Sequence, residues 1–426
     1  MTAIQPADVY AYSALVHSDS IRLLQLQPSN NSGATLVGQL SEVHLADKPE
    51  FEALSYAWGL DESEPSFLTL DNSSFSISEN LAAALHIFRL TDKPRNLWID
   101  AISINQKDNN ERSSQVAQMA AIYKTATMVL VWLGESTAGT EAALQFLRDV
   151  ATNDHGLDLS AGSAGPGWFQ FSGRTLKGSH EEVMQIVEST AKPRLDDIFE
   201  RAWFTRLWII QEIALAKSAA LFCGRESIEW ELFAISLCVL KAAMNTTRVG
   251  IAWLSSFEKA WHVVDVKASL RVALHTFYMS PYNELANFMD MVKGQKCKDN
   301  RDRIYALLGL GLYHLSNDIK SSNGMGSKII PDYSKSTAEV YTHVARHYVL
   351  QGDLFILHRA GLWRRLSPPG GCKVQEYVPE VPLPSPDYHP SWVHDFNNAE
   401  SFKRIPWFSD DFSAGFSMRP AGVALD

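Results

Sequence analysis

Two continuous apolar segments on either side of an amphipathic helix constrain the fold of this 426-residue chain more than any other feature. Residues 97–102 read Leu-Trp-Ile-Asp-Ala-Ile, and residues 127–133 read Thr-Met-Val-Leu-Val-Trp-Leu. Between them, residues 110–124 place four apolar side chains on one helical face: Val116, Met119, Ala120 and Tyr123. Strands without polar alternation are usually buried on both faces. The order strand–helix–strand therefore predicts an α/β fold, with a parallel sheet flanked by helices.

The rest of the first half continues this alternation. Strands are predicted at residues 21–26, 36–45, 51–58 and 219–223, and helices at 78–90, 202–216 and 230–243. Residues 67–70 and 75–77 flank Asp71-Asn72, which predicts a hairpin. We therefore expect one domain over residues 1–245.

Two other regions are set apart by composition. An inserted surface loop is expected near residues 152–180, because Gly, Ser and Pro dominate residues 162–167. Residues 246–426 are expected to form a mainly helical C-terminal region. No closing element precedes Asp426, which allows the natural protein to continue beyond it.

Charge and composition exclude several classes of function. The chain has 38 Lys and Arg against 48 Asp and Glu, a net charge of −10 and no long basic run, so no nucleic-acid partner is expected. Hydrophobic residues make up 46% of the chain and charged residues 20%, which predicts a folded core rather than disorder.

Cysteine usage and the N-terminus bear on the compartment. Four cysteines, at 223, 238, 297 and 372, form no Cys-x-x-Cys pair and no zinc-type His/Cys cluster. We therefore expect free thiols in a reducing compartment and no metal site. The first 12 residues lack the basic and apolar regions of a signal peptide, and no stretch of about 18 apolar residues occurs. A cytoplasmic location without a membrane span is expected.

Several common catalytic signatures are absent from the sequence. We find no P-loop, no His-Glu-x-x-His motif, no Gly-x-Ser-x-Gly elbow and no kinase signature. Gly309-Leu310-Gly311 follows a predicted helix and lacks the third glycine of a dinucleotide-binding fingerprint. These absences leave enzyme classes that need few special residues.

Four short motifs occur in order along the chain. They are Leu-Ser-Tyr-Ala-Trp-Gly at 54–59, Leu-Trp-Ile-Asp-Ala-Ile-Ser-Ile-Asn-Gln at 97–106, Arg-Ala-Trp-Phe-Thr-Arg-Leu-Trp-Ile-Ile-Gln-Glu at 201–212 and Asp-Arg-Ile-Tyr-Ala-Leu-Leu-Gly-Leu at 302–310. Together they resemble the fungal heterokaryon-incompatibility (HET) family. The resemblance implies an effector of programmed cell death in fungal self/non-self recognition. The family commonly carries Cys where this chain has Ser103, which argues against thiol chemistry there.

The HET family is similar to TIR domains in its proposed fold, a flavodoxin-like parallel sheet. Some TIR domains cleave NAD with one glutamate in a Trp-x-x-x-Glu helix, and Trp208 and Glu212 have that spacing. The similarity implies NAD as a substrate, no prosthetic group, and Glu212 as the catalytic residue. It also implies a homo-oligomer with sites completed between protomers.

The chemistry of NAD cleavage fits a single carboxylate. Nicotinamide leaves as a neutral molecule from a cationic pyridinium, so the leaving group needs no protonation, unlike that of ordinary glycosidases. One carboxylate can stabilise the positive charge that develops on the ribose and orient the attacking water. The alternative for Glu212 is a structural pairing with Arg206, Arg112 or a backbone donor.

Ser55, Tyr56 and Trp58 end a predicted parallel strand. Ligands of open α/β sheets bind beyond the carboxyl ends of strands. Ser55 and Tyr56 are therefore candidates to bind ribose or phosphate, and Trp58 is a candidate to stack on a ring of NAD. The alternative is a structural elbow with both aromatic residues in the core.

Further candidates follow the next predicted strand. Asp100, Asn105 and Gln106 could contact ribose hydroxyls. The alternative is that they cap the next helix, and we favour this alternative for Asn105. Arg112 and Arg206 could each bind a pyrophosphate. The alternative is that they form ion pairs, and the candidate partners of Arg112 are Glu111 and Asp108.

Trp208 lies one helical turn before Glu212. It is a candidate to stack on a planar ring of the substrate, and the alternative is a place in the core.

The motifs and the residues they contain are compatible with three functions. The first is an NAD glycohydrolase that kills the cell by depleting NAD. The second is a non-catalytic death-signalling or assembly module, which responds to a protein trigger. The third is a sensor that binds NAD-like nucleotides without turnover.

Overall fold

The computed structural model describes residues 9–17, 19–58, 64–152, 157–158, 175–176, 195–246, 254–275, 292, 294–310 and 329–350. Within them the strands are β1 Ser20–Leu26, β2 Leu36–His44, β3 Glu52–Tyr56, β4 Ser66–Leu70, β5 Ser73–Ile77, β6 Arg95–Trp98, β7 Val129–Trp132, β8 Leu157–Asp158, β9 Thr175–Leu176, β10 Ala219–Cys223 and β11 Glu226–Glu229. The α-helices are α1 Glu79–Phe88, α2 Asp100–Ser103, α3 Asn109–Thr125, α4 Thr140–Thr152, α5 Asp196–Phe199, α6 Ile209–Leu215, α7 Trp230–Thr246, α8 Leu254–His275, α9 Asp302–Leu308 and α10 Thr337–Leu350.

A nine-stranded sheet forms the centre of the fold, in the order β11-β10-β7-β3-β6-β1-β2-β4-β5. The four strands β10, β7, β3 and β6 run parallel to one another, and they include the two strands predicted from residues 97–102 and 127–133. The first of these is shorter than predicted, because β6 ends at Trp98 and Asp100–Ser103 forms helix α2. The whole sheet is mixed, whereas the sequence predicts a parallel sheet with one hairpin. β1 pairs antiparallel with both β2 and β6, and the pairs β4–β5 and β10–β11 are also antiparallel.

Short connections explain the antiparallel hairpins, since a parallel crossover needs a dozen or more residues. The predicted hairpin between β4 and β5 is confirmed. Its two turn residues, Asp71 and Asn72, have φ angles of 49° and 66°. Asp and Asn tolerate this left-handed conformation, and a turn with two positive φ values matches the twist of the flanking strands.

The parallel strands follow the order of flavodoxin-like sheets. From β3 the chain passes to β6 on one side, and then crosses to β7 and β10 on the other side. This 2-1-3-4 order creates a topological switch point at the carboxyl end of β3, where ligands of doubly wound sheets bind. The mixed α/β class is therefore established, while the similarity to TIR domains stays a prediction.

The alternation of side chains along β3 divides the core into two layers. Leu54 and Tyr56 pack on one face with helix α1. Ala53 faces the other side, where the core includes α3, α6 and the apolar residues of α8, α9 and α10. The apolar cluster on this face thus continues past the predicted boundary at 245/246. The division into two domains stays a prediction.

Of the predicted insertion at 152–180, the described residues are the end of α4 and the antiparallel pair β8–β9. The remainder of that stretch, and residues 351–426, lie outside the described residues. Among the described helices, none combines the length and the apolar character that crossing a bilayer requires.

Gln211 ties three helices together on the second face of the sheet. In the amide orientation that satisfies both ends, its nitrogen donates to the Ala306 carbonyl at 3.1 Å, and its oxygen accepts from the Ala120 amide at 2.9 Å. Gly309 ends α9 beside this contact with an ordinary φ of −78°. A Cβ at position 309 would overlap the Gln211 amide and lie 2.6 Å from the Ala120 Cβ. The glycine is therefore required by close packing rather than by its backbone conformation.

We predict that Gly309→Ala destabilises the fold by about 1–3 kcal/mol, the usual cost of overpacking. Urea unfolding would measure the loss. Gly294→Ala is the matched control, because a Cβ at position 294 meets no atom within 4 Å. Equal stability of the two variants would contradict the close packing of α3, α6 and α9.

Candidate functional site

Ser55 and Tyr56 occupy the carboxyl end of β3, at the switch point of the sheet. Both are buried, with 1% and 2% of their surface exposed. Because successive residues of a strand point to opposite faces, Ser55 faces α6 while Tyr56 packs on the α1 side. Trp58 lies two residues further on and is 44% exposed. The strand end thus offers a buried hydroxyl and an exposed indole.

A hydrogen-bonded chain of three side chains links β3 to α6. A 3₁₀ turn at Ala202–Thr205 carries Trp203, whose indole nitrogen donates to the Ser55 Oγ at 2.7 Å. The Ser55 hydroxyl donates to the Glu212 Oε2. A hydroxyl polarised by one donor makes the better donor to the next group. The hydrogen bond from Trp203 therefore directs the hydroxyl proton of Ser55 toward the carboxyl group of Glu212.

Arg206 holds the strand end from the side of the 3₁₀ turn. It follows the turn in extended conformation, and its guanidinium donates to the Tyr56 carbonyl. The guanidinium charge also lowers the pKa of Glu212. Arg206 thus provides a partly buried cation beside the carboxylate.

Glu212 is a buried carboxylic acid that titrates near neutrality. It is 1% exposed, and burial raises its pKa to about 7, against the opposing effects of Arg206 and the Ser55 hydroxyl. The negative charge of Asp100 raises the pKa further. A group with a pKa near the working pH can both hold and release a proton, which is the property that acid–base catalysis requires.

The exposed Trp58 and the half-buried Asp100 form the outer part of the same group of residues. The Trp58 indole nitrogen donates to the Asp100 Oδ2 at 3.0 Å, so the exposed ring has a fixed orientation. Burial raises the pKa of Asp100, while Arg206 and the Trp58 hydrogen bond oppose that shift. Asp100 thus lies close enough to Glu212 to raise its pKa, and Trp58 is the exposed member of the group.

Gln106 and Asn105 support this group from the following turn. The Gln106 amide donates to the backbone carbonyl of Asp100 at 2.8 Å. Asn105 accepts from the Lys107 amide at 3.3 Å and closes a turn, whereas the cap of α3 is Asp108. Both side chains therefore make local contacts in the turn, and a role in binding ribose stays a prediction.

Arg112 and Trp208 make their polar contacts in a second group of residues. Arg112 pairs with Asp299 at 3.3 Å, rather than with Glu111 or Asp108, and lies over the Tyr333 ring at 3.5 Å. The Trp208 indole nitrogen donates to the Asp302 Oδ2 at 3.1 Å.

The structure thus brings six of the predicted site residues together: Ser55, Tyr56, Trp58, Asp100, Arg206 and Glu212. The remaining candidates lie in the neighbouring turn or in the second group.

Two residues that the sequence did not identify as site residues also belong to the site. Trp203 supplies the donor to Ser55. The Tyr123 hydroxyl donates to the Leu54 carbonyl at 3.3 Å, and burial together with the nearby charge of Glu212 raises the pKa of Tyr123. Trp203 lies within the motif at 201–212, but no periodic pattern relates it to a strand 148 residues away. Among the described residues, no group of three or more His, Cys, Asp or Glu side chains is arranged to hold a metal ion.

Comparison with known proteins agrees with the sequence motifs. Residues 51–212 match the family described as heterokaryon incompatibility protein (HET). The chain is 24% identical over 428 residues to heterokaryon incompatibility protein 6, OR allele, of Neurospora crassa, an alignment that covers 91% of this chain. The chain spans 60% of the length of that relative. No solved structure matches the present chain.

The raised pKa of Glu212 predicts how stability depends on pH. The unfolded glutamate loses its proton near its ordinary pKa of 4.5, whereas the folded one keeps it up to about pH 7. The folded state therefore binds more protons across that range, and its stability falls as pH rises. We predict that Glu212→Gln, which cannot ionise, gains stability relative to the wild type between these pH values, by at most about 3 kcal/mol.

Urea unfolding at pH 5 and pH 8 measures this difference. Glu141→Gln is the control, since Glu141 is an exposed residue of α4 and its effect should not grow over that range. A Glu212→Gln variant that loses more stability at pH 8 than at pH 5 would instead identify Glu212 as the anchor of a structural ion pair.

Proposed function

We propose that this chain is a cell-death effector of fungal self/non-self recognition, and that it acts as an NAD glycohydrolase that cleaves the nicotinamide–ribose bond. The match of residues 51–212 to the HET family and the likeness to a heterokaryon incompatibility protein support the first part. The second part depends on the site at the carboxyl end of β3.

The observation that carries the enzymatic proposal is the Trp203–Ser55–Glu212 chain, which ends on a carboxyl group with a pKa of about 7. It lies at the switch point of the sheet, the place where doubly wound sheets generally bind their ligands. Cleavage of NAD releases a neutral leaving group, so one such carboxylate meets the needs of the reaction.

Four residues of the site have a direct role in this proposal: Glu212, Trp58, Asp100 and Arg206. The ionised Glu212 stabilises positive charge on the ribose as the bond to nicotinamide lengthens, and then accepts a proton from the attacking water. The exposed Trp58 ring stacks on a planar ring of the substrate, in the orientation held by Asp100. Arg206 keeps part of the Glu212 population ionised at neutral pH.

A non-catalytic signalling or assembly module is the second candidate, and the depth of Glu212 favours it. The side chain is 1% exposed and already has a hydroxyl partner. In that case Ser55 and Glu212 join α6 to the sheet as a buried polar contact. Self-association, or a protein trigger, would then carry the signal.

We predict that the purified protein releases nicotinamide from NAD, and that Glu212→Gln reduces the rate at least about 100-fold, because the amide cannot stabilise cationic charge. Chromatography of nicotinamide over a range of protein concentrations measures the rate and shows whether assembly is required.

Glu141→Gln serves as the control for that assay and should keep full activity. Expression of the same variants in a fungal host tests the cellular part. Killing that persists in Glu212→Gln, together with no release of nicotinamide by the wild type at any concentration, would refute the enzymatic proposal and support the signalling module.

A second prediction concerns the pH dependence of the reaction. The Ser55 hydroxyl lowers the pKa of Glu212, so Ser55→Ala should raise that pKa. Since the reaction needs the ionised carboxylate, the acid limb of kcat/KM against pH, expected near pH 7, should move to higher pH. Steady-state rates from mildly acidic to mildly alkaline pH measure the shift.

Ser103→Ala is the matched control for this variant. Ser103 is also fully buried, but its Oγ accepts from the Ile99 amide at 3.1 Å and serves α2 rather than Glu212. An acid limb that stays in place in Ser55→Ala would mean that ionisation of another group limits the rate.

A further inference from the structure

Helix α6, which carries Glu212, is attached to a carboxylate from the second half of the chain. The residue just before the helix, Trp208, donates its indole N–H to the Asp302 Oδ2 at 3.1 Å. The other oxygen of Asp302 accepts from the Tyr333 hydroxyl at 2.6 Å. Asp302 is 6% exposed, and burial raises its pKa to about 6, against the two hydrogen bonds from Tyr333 and Trp208.

The contact between Trp208 and Glu212 is direct. The Glu212 backbone amide donates to the Trp208 carbonyl at 3.2 Å, and the backbone amide of Gln211 donates to the same oxygen at 3.0 Å. A displacement of Trp208 is therefore transmitted to Glu212 through the first turn of the helix. No flexible segment separates the two residues.

Arginine side chains fix the far side of this contact. The Arg112 guanidinium lies 3.5 Å from the centre of the Tyr333 ring, and the Arg301 guanidinium lies 5.1 Å from it. Both arginines also bind Asp299. The Tyr333 hydroxyl is consequently presented to Asp302 by a ring that cannot rotate freely.

A lysine from the second half holds the other end of the helix. Lys267, on α8, is 4% exposed and donates to the Ile213 carbonyl at 2.6 Å. A second, longer bond of 3.4 Å reaches the Ala216 carbonyl. A cation at the last carbonyl groups of a helix satisfies acceptors that lack helical partners and interacts favourably with the helix dipole.

The segment around residue 296 also supports Arg206. The Lys296 amide donates to the Thr205 carbonyl at 2.6 Å, and the Leu207 amide donates to the Lys296 carbonyl at 2.9 Å. These two bonds flank Arg206 on both sides. The cation beside Glu212 is thus held by the same half of the chain that holds the helix.

We infer that Asp302 is a positioning residue that fixes Glu212 against Ser55 through Trp208. Trp208 then acts as a mechanical link between the two halves rather than as a stacking surface for the substrate. Asp302 and Lys267, which hold the two ends of the helix, lie beyond residue 212, outside the segment that matches the HET family. The effect on reaction rate rests on the proposed NAD glycohydrolase activity, whereas the effect on the helix does not.

Trp208→Phe tests this inference, because it keeps an aromatic ring against the core and removes the donor to Asp302, at the cost of part of the packing of the indole. Asp302→Asn tests the same contact from the other side. The asparagine amide has one oxygen, so either the Trp208 indole or the Tyr333 hydroxyl would then face its nitrogen. Tyr305→Phe is the matched control. Tyr305 lies on the same helix as Asp302, and its hydroxyl bonds the Asp332 backbone rather than Asp302 or Trp208.

Two measurements on the full chain separate positioning from general damage. Amide hydrogen exchange should become at least about 10-fold faster in residues 209–215 of Trp208→Phe and Asp302→Asn, and remain unchanged there in Tyr305→Phe. In the nicotinamide assay, the two test variants should lose about 10- to 100-fold in kcat with little change in KM, as expected for a misplaced catalytic group. The double variant should be no worse than the more impaired single variant, because both remove one contact.

Unchanged exchange in residues 209–215 would overturn the inference. So would an unchanged kcat in variants whose helix has loosened, or equal losses in the Tyr305→Phe control. If the wild type releases no nicotinamide, the proposed function fails, and hydrogen exchange alone then confirms or refutes the link between Asp302 and the helix.

Discussion

The hydrogen bond from Ser55 to Glu212 is the contact on which the site depends, because it joins the centre of the sheet to a helix 157 residues later in the chain. A carboxylate that is removed from water requires partners, and each partner fixes a separate part of the backbone. Ser55 fixes the end of β3, and Arg206 fixes the turn that precedes α6. Trp203 then sets the direction of the Ser55 hydroxyl. One buried acid thus determines how three segments meet.

The layers of the fold could be predicted because they follow from local patterns. Continuous apolar segments identify β3, β6 and β7, and Asp71-Asn72 identifies the β4–β5 hairpin. The place of β1 beside β6 could not be predicted, because β1 is apolar enough to be buried on both faces and resembles a parallel strand. Its direction is set by the short turn to β2 and by its pairing with β6, and pairing between distant strands leaves no mark in local periodicity.

The site was predictable where polar residues end apolar strands, which is the pattern that identifies Ser55 and Asp100. Glu212 and Arg206 could be proposed only through the family resemblance, since their own neighbours indicate no more than a buried helix. The partners of Trp208 and Arg112 could not be predicted. Asp302 and Tyr333 lie in the second half, for which the sequence predicts mainly helices. That prediction does not indicate which polar residue of the second half contacts the first half.

The position of Glu212 at the last residue of the matched segment has a consequence for how such proteins can diversify. A gene fusion that transferred residues 51–212 alone would carry the carboxylate but leave behind Asp302 and Lys267, which hold the two ends of its helix. The recipient protein would have to provide another acid and another cation at the same places. Sequence drift in the second half can therefore tune the first half without altering any residue of the matched segment.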